Sequence, residues 1–290
     1  MYELTDDPHS RNIIEVNRQT PSIHDVREYW ERHPLLSYEL GELGPVERWL
    51  ALDLVKKIDV ERFALSYWDF ENQVGKNVLD IGCGPGWLTV KYATVGAHVH
   101  AVDLTAAAIK MARSALEIKG LSASLQLGSA ESLPFRDNSF DLVVSSGVLH
   151  HTPNPSMGFA EAFRVARPGA TGLITLYRLG ILHRQFVFPF VRLVMRIAGV
   201  RHPGADLAKT ASTVEEFVRQ YDGANNPVGI GKTERDWETD LTSAGWTVVS
   251  RERHYFPSRM VPFLTRAPRW LQKLLDRNIA TMVYFTLRRE

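Results

Sequence analysis

Cysteine occurs once, at Cys83, in 290 residues. A single thiol can close no internal disulfide and build no cysteine-rich zinc site, so nothing points to an oxidising compartment. Long apolar runs are missing too: none approaches the roughly 20 residues that span a bilayer. The opening MYELTDDPHSRN is polar and lacks the apolar core of a secretory signal. An excess of one charge is also absent. Lys and Arg number 34 against 33 Asp and Glu, a formal charge of +1. That balance argues against a surface built mainly to neutralise phosphate backbones. With 44% hydrophobic and 23% charged residues the composition is that of a folded chain, long enough to bury a sizeable core. The expectation is a cytoplasmic globular protein.

The chain divides by pattern. Residues 1–20 lack periodicity and read as a flexible arm. Residues 21–74 are helical and aromatic, with Leu50, Leu54 and Ile58 at helix spacing and breaks at Gly41, Gly44 and Pro45. They read as a lid. From Asn77 the rhythm changes to short apolar runs, NVLDI (77–81), HVHAVD (98–103), SLQL (124–127), FDLVVS (140–145) and TGLITLY (171–177), separated by helical segments such as 105–119 and 157–166. This alternation implies parallel strands joined by right-handed crossovers, hence an α/β doubly wound sheet. Residues 178–235 look like a helical insertion on the substrate side. WTVVSRE (246–252) and MVYFTL (282–287) within 236–290 supply further strands.

The strongest signal is VLDIGCGPGWLT, residues 78–89. A buried strand ends at Asp80 and Ile81, and Gly82, Gly84 and Gly86 follow at alternate positions. Glycines at such a turn accept positive φ and let a ligand come close. Asp103 ends the next strand, 21 positions after Gly82, where a carboxylate suits a grip on two ribose hydroxyls. A dinucleotide fingerprint would read G-x-G-x-x-G. This run reads G-x-G-x-G, which places a nicotinamide enzyme last.

From about residue 75 to 177 the chain resembles the class I S-adenosylmethionine-dependent methyltransferases, with four motifs in family order. Asp80, Gly82, Gly84 and Gly86 match the glycine motif, and Asp103 the acidic ribose ligand, with Leu104 beside the adenine. GSAESLPF (128–135) matches the adenine-side motif and places Ala130 and Glu131 near the base, although Ser129 stands where many members carry an acid. FDLVVSSGVLHH (140–151) resembles the fourth-strand motif, which adds Ser145 to the cofactor set, and RVARPGATG (164–172) the turn into the fifth strand. The resemblance implies a seven-stranded Rossmann-like sheet with a final antiparallel strand, and S-adenosyl-L-methionine as cofactor.

Methyl transfer from a sulfonium is an in-line displacement, and a protonated acceptor also needs a base. His151 is the candidate at the carboxyl edge of the sheet; it either takes the proton or caps the turn before Pro153. In phosphobase-type relatives a histidine at the comparable place pairs with a tyrosine from an N-terminal helix, and Tyr29 and Tyr38 are the partners on offer. For His150 a structural role is favoured, and a zinc pair is disfavoured because adjacent histidines diverge without a third ligand. Tyr29, Trp30, Tyr38, Tyr177 and Tyr221 are substrate-side candidates, each weighed against plain packing; Asn226 is weaker.

The expected partner is a small-molecule acceptor methylated at oxygen, nitrogen or carbon. A nucleic-acid enzyme would show an N/D-P-P-Y/F signature where this chain has His150, His151, Thr152 and Pro153, and would carry a basic module. A non-catalytic scaffold is the remaining alternative, which the intact glycines and Asp103 oppose. Residues 179–200 are apolar on one face, carry Arg184, Arg192 and Arg196 at helical intervals and are interrupted by Pro189. They read first as a core or homodimer-interface helix, and only then as a membrane surface or a cover for a hydrophobic acceptor.

Overall fold

The computed structural model describes residues 21–35, 43–197, 211–223, 225–255 and 267–290. The arm 1–20, Gly41 and Tyr38 lie outside them. Seven strands form one sheet in the order β3-β2-β1-β4-β5-β7-β6: β1 (Asn77–Ile81), β2 (His98–Asp103), β3 (Ser124–Leu127), β4 (Phe140–Ser146), β5 (Ala166–Tyr177), β6 (Thr247–His254) and β7 (Met282–Arg288). The first five pair in parallel, and β7 runs antiparallel to both β5 and β6. Four of the five residues of β1 are buried, because helices cover both faces of the sheet and neither face tolerates a polar side.

The helices, in chain order, are α1 (Ile23–Arg32), α2 (Pro45–Val55), α3 (Trp87–Thr94), α4 (Ala106–Lys119), α5 (Pro155–Val165), α6 (Phe188–Ile197), α7 (Val214–Arg219), α8 (Glu234–Ser243) and α9 (Arg269–Ile279). Local chemistry sets their ends. Ser22 and Asp25 form a reciprocal capping box at α1, and Thr105 Oγ1 accepts the Ala108 amide at α4. Pro45 opens α2 behind Gly44.

Two layers of core flank the sheet. One gathers Trp49, Trp68, Trp87, Tyr92 and Tyr284, and the other Phe159, Trp237, Trp246 and Phe285. Most of the buried indoles have partners for their N–H groups: Trp68 donates to Glu61 Oε2 at 2.9 Å, Trp237 to the Tyr177 carbonyl at 2.7 Å and Trp246 to the Phe159 carbonyl at 3.2 Å, whereas the Trp49 N–H has none among the described residues. In the first three, that satisfaction is what lets such large side chains be buried without a desolvation penalty.

Three expectations need correction. The helix expected over 179–200 begins only at Phe188, after a short turn at Ile181–His183. Pro189 therefore sits in the first turn, where its missing N–H breaks no hydrogen bond, and does not interrupt the helix. The fifth strand starts at Ala166 and not at Thr171; a register shift between Phe140 and Leu142 accommodates Pro168 and Gly169. In α2 the buried side chains are Trp49 and Leu52, whereas Leu50, Leu54 and, one turn beyond the helix, Ile58 face outward.

Candidate functional site

At the carboxyl ends of β1, β2 and β4 lies a cavity of about 230 Å³, roofed by Ile23, Val26 and Trp30 of α1. Its floor is the glycine turn, in which the three glycines do different work. Gly82, Gly84 and Gly86 all have positive φ, +72°, +50° and +84°. A Cβ on Gly82 would meet Val148 at 2.4 Å, and one on Gly86 would meet the Ala112 backbone at 2.8 Å. Gly84 has nothing within 4 Å of that position. Of the three, Gly84 is the one whose missing side chain leaves open space.

Asp103 stands beside it. Its Oδ2 accepts the Gly84 amide at 2.9 Å, and its Oδ1 accepts both the amide (2.9 Å) and the hydroxyl (2.8 Å) of Thr105. Oδ2, with a single protein donor, has the greater capacity left for a ribose hydroxyl, so the two-handed grip expected from sequence rests mainly on that oxygen. Burial raises the Asp103 pKa, partly offset by the donors from Gly84 and Thr105. Asp80 lines the same space, accepts the Thr89 hydroxyl at 2.7 Å and is pushed up to about 6 by burial, against the lowering Thr89 bond. Leu104, Ser129 and Ala130 complete this end.

Lys56, the first residue of the helical segment that continues α2, and Glu61, just past its end, also reach the cavity. Both are buried, with Nζ and Oε1 3.7 Å apart. Lys56 is the only Lys or Arg among the described residues of a wall that holds the carboxylates of Glu61, Asp80, Asp103 and Asp222.

The other end centres on His151. Its Nδ1 lies 2.6 Å from the Val228 carbonyl, which can only accept, so Nδ1 carries hydrogen. The Asn226 amide nitrogen, 3.3 Å from the same atom, is then a neighbour; Asn226 is fully buried and its Oδ1 accepts the Val228 amide. His151 Nε2 lies 3.0 Å from Asp222 Oδ2. The Tyr177 hydroxyl donates to that same carboxylate oxygen, and the Tyr29 hydroxyl donates to the Asp222 carbonyl at 2.6 Å. Burial, then the Asp222 charge, raises the Tyr177 pKa well above the usual phenol range, so this tyrosine stays a donor. Trp30 meets the His151 ring edge-on at 5.2 Å.

The sequence candidates therefore separate. Asp80, Gly82, Gly84, Asp103, Leu104, Ala130, His151, Trp30 and Tyr177 line one cavity. Gly86 is spent on packing against α4. Glu131 is not on the wall, and its carboxylate accepts the Asn154 amide at 2.6 Å. Ser145 is buried and donates to the Ile81 carbonyl at 3.2 Å, while its neighbour Ser146 faces the cavity. Tyr29 braces Asp222 from behind. Tyr221 lies off the wall, edge-on to Tyr177 at 5.2 Å, with its hydroxyl 2.7 Å from His183 Nε2. His150 is fully buried with neither ring nitrogen bonded, 3.9 Å from the Tyr177 ring. Burial holds its pKa well below the usual histidine range, so it is neutral filler under Tyr177.

Asp222, Lys56 and Glu61 escaped the sequence reading. Asp222 precedes Gly223 in a polar loop, where an acid normally reads as a turn former. Lys56 and Glu61 belong to a region whose sequence signals are its apolar spacing and its aromatics, not its charges. Among the described residues no group of three His, Cys, Asp or Glu could hold a metal ion.

The methyltransferase domain family matches residues 79–174. The ubiquinone biosynthesis O-methyltransferase of Albidiferax ferrireducens is 30% identical over 189 residues, which cover 61% of this chain and 73% of that protein. That of Hahella chejuensis is 39% identical over 150 residues, 44% of this chain and 62% of the relative. The norajmaline N-methyltransferase of Rauvolfia serpentina is 35% identical over 119 residues, 40% of each chain. The chain spans about half the length of most curated relatives it matches. Among solved structures, the cyclase SpnF superposes with a TM-score of 0.56 at 17% identity, covering 93% of this chain and 96% of that one. An S-adenosylmethionine-dependent methyltransferase from Mesorhizobium loti gives 0.52 at 20% identity, covering 79% and 99%. At such identities the structures speak for the fold alone. The Albidiferax relative extends the likeness across most of its own length, with the glycine turn and Asp103 inside the matched domain: the chain belongs to the class I S-adenosylmethionine-dependent methyltransferases.

Proposed function

We propose that this protein methylates a hydroxyl of a small-molecule acceptor, and that His151 together with Asp222 removes the proton. The observation that carries the reading is the pair itself: Nε2 and Oδ2 stand 3.0 Å apart on the cavity wall while Nδ1–H is fixed on the Val228 carbonyl. The O-methyltransferases among the relatives support the choice of oxygen.

The residues present suit the cofactor. Open space over Gly84, the Oδ2 atom of Asp103 and the apolar Leu104 and Ala130 would hold the nucleoside; Asp80 would face the cationic side of the amino-acid tail and Lys56 its carboxylate. When bound, S-adenosylmethionine supplies an electrophilic methyl group on a sulfonium. With Nδ1–H on Val228, the 3.0 Å contact of Nε2 with Asp222 Oδ2 is held by one shared proton. Once that proton has left to solvent, an acceptor hydroxyl placed against Nε2 would give up its proton there as its oxygen takes the methyl group, and Asp222, held by the Tyr177 hydroxyl, would stabilise the imidazolium. Trp30 and Val26 keep water from the sulfonium end.

The test uses labelled methyl transfer to a panel of phenols, aliphatic alcohols and amines. His151→Gln and Asp222→Asn should each lower turnover by about 10²–10⁴-fold while leaving S-adenosylhomocysteine affinity unchanged. Full activity of both variants across pH would remove the pair from proton transfer. A preference for amines would move the acceptor to nitrogen.

A further inference from the structure

Two helices expose apolar side chains that the core does not use. On and just before α6, Phe186 is 93% exposed, Phe190 65% and Ile197 78%, with Leu193 and Val194 also open to solvent. Phe188 turns inward onto Ala211 and Phe217, and Met195 packs against the same cluster. The exposed charges of this segment are Arg184 and Arg196, and residues 178–205 contain no acid. On α9, Trp270 is 69% exposed and Leu274 51%, flanked by exposed Arg269, Lys273 and Arg277. Its one acid, Asp276, is buried and held by His254 at 3.0 Å. None of these five cations has an ion-pair partner among the described residues.

Both helices join the sheet at one place. The segment leading to α6 leaves β5 at Tyr177, and α9 returns into β7 at Met282, which is the register partner of Tyr177. The Arg178 amide donates to the Thr281 carbonyl at 2.7 Å, and its guanidinium to the Ala280 carbonyl at 3.0 Å. Tyr177 and Met282 both line the cavity. The two basic amphipathic helices therefore attach beside the acceptor end of the site.

We infer that α6 and α9 form a surface that docks on an anionic lipid bilayer, with Phe186, Phe190 and Trp270 entering the interfacial layer and the arginines and lysine meeting acidic headgroups. The sign of the charge selects this occupant. The outward stripe of Val46, Leu50, Leu54 and Ile58 on and beyond α2 is equally apolar, but Glu47 and Lys57 of opposite sign flank it, and it has no such preference. No helix is long and apolar enough to cross a membrane among the described residues, so docking is in the plane of the interface. The sequence alone ranks core or dimer packing above membrane contact for 179–200; the outward Phe186, Phe190 and Ile197 reverse that order.

The experiment is flotation of the full chain with vesicles of phosphatidylcholine alone or mixed with phosphatidylglycerol, read without any methyl acceptor and so independent of the proposed reaction. Binding should require the anionic lipid and fall steeply with salt. Arg184→Glu with Arg196→Glu should weaken it by more than tenfold, at about fivefold per cation removed. Phe186→Ser with Phe190→Ser should weaken it comparably, and Trp270→Ser with Lys273→Glu should do so through the other helix. These positions are exposed, and an unchanged melting temperature confirms that each variant folds. Equal binding to neutral and anionic vesicles, or to none, overturns the inference. So does a dimer by light scattering that Phe190→Ser dissociates in a protein that ignores vesicles, since that assigns the face to a second copy of the chain.

Discussion

Replacing Asp80 by Asn separates the two demands on this carboxylate. Asp80 is buried at the end of β1, and burial lifts its pKa from 3.8 to about 6. Below 3.8 the folded and unfolded chains both hold the proton, and the group contributes no pH dependence. Between there and about 6 the unfolded chain releases it while the folded chain keeps it, so stability falls as pH rises. Above about 6 the full penalty of a buried charge is present. Two pK units correspond to about 3 kcal/mol, an upper figure because the cavity admits water. Asn keeps an acceptor for the Thr89 hydroxyl at 2.7 Å and carries no charge. Asp80→Asn should therefore raise the melting temperature at pH 8 by several degrees, at about 2–4 °C per kcal/mol for a chain of this size, and should leave it unchanged at pH 4. The same variant should bind S-adenosylhomocysteine more weakly, since the negative charge facing its ammonium is gone. Thermal melts across pH 4–8 with calorimetric titration decide the matter. Equal stabilisation at both ends of that range, or destabilisation throughout, would refute the burial argument.

Lys56→Met should weaken S-adenosylhomocysteine binding by about tenfold or more, as expected for loss of a charge-assisted bond, and leave methylthioadenosine, which lacks the carboxylate, unaffected. Equal loss for both ligands would mean that Lys56 acts through the fold. The glycines should rank by what a methyl group meets: Gly86→Ala, against Ala112 at 2.8 Å, should cost more stability than Gly84→Ala, which carries only the left-handed strain of about 1–2 kcal/mol. Denaturant melts of the two variants measure the order, and the reverse order would contradict the packing described here.

The central strands were legible because parallel strands buried on both faces read as short apolar runs; all seven strand signals correspond to strands of the sheet, although β3 and β6, at its edges, contain no buried residue. The glycine turn was legible because positive φ restricts residue choice so strongly. Around it, precision was lost by one or two residues. Ser145 was chosen and Ser146 faces the cavity, since neighbours on a strand point to opposite sides. Ala130 lines the cavity and Glu131 does not, because the next residue of that turn points to Asn154. Least legible were contacts made by chain closure. Asp222 meets His151 across 71 positions, and Lys56 reaches a wall built by residues from five later strands. Neither residue carries a local pattern that announces such a meeting. The expected partner of His151 was a tyrosine from the N-terminal segment; Tyr29 does approach, but through the Asp222 carbonyl.

Helix α1 touches both halves of the cavity at once. Glu31 accepts the Ala106 and Ala107 amides at 2.8 and 3.0 Å, capping α4 two residues beyond the Leu104 that lines the cofactor end. Two residues earlier Tyr29 holds the carbonyl of Asp222, whose side chain faces His151 at the other end of the cavity. Displacing α1 at either fastening would therefore disturb both ends of the cavity, which share one support ten residues long.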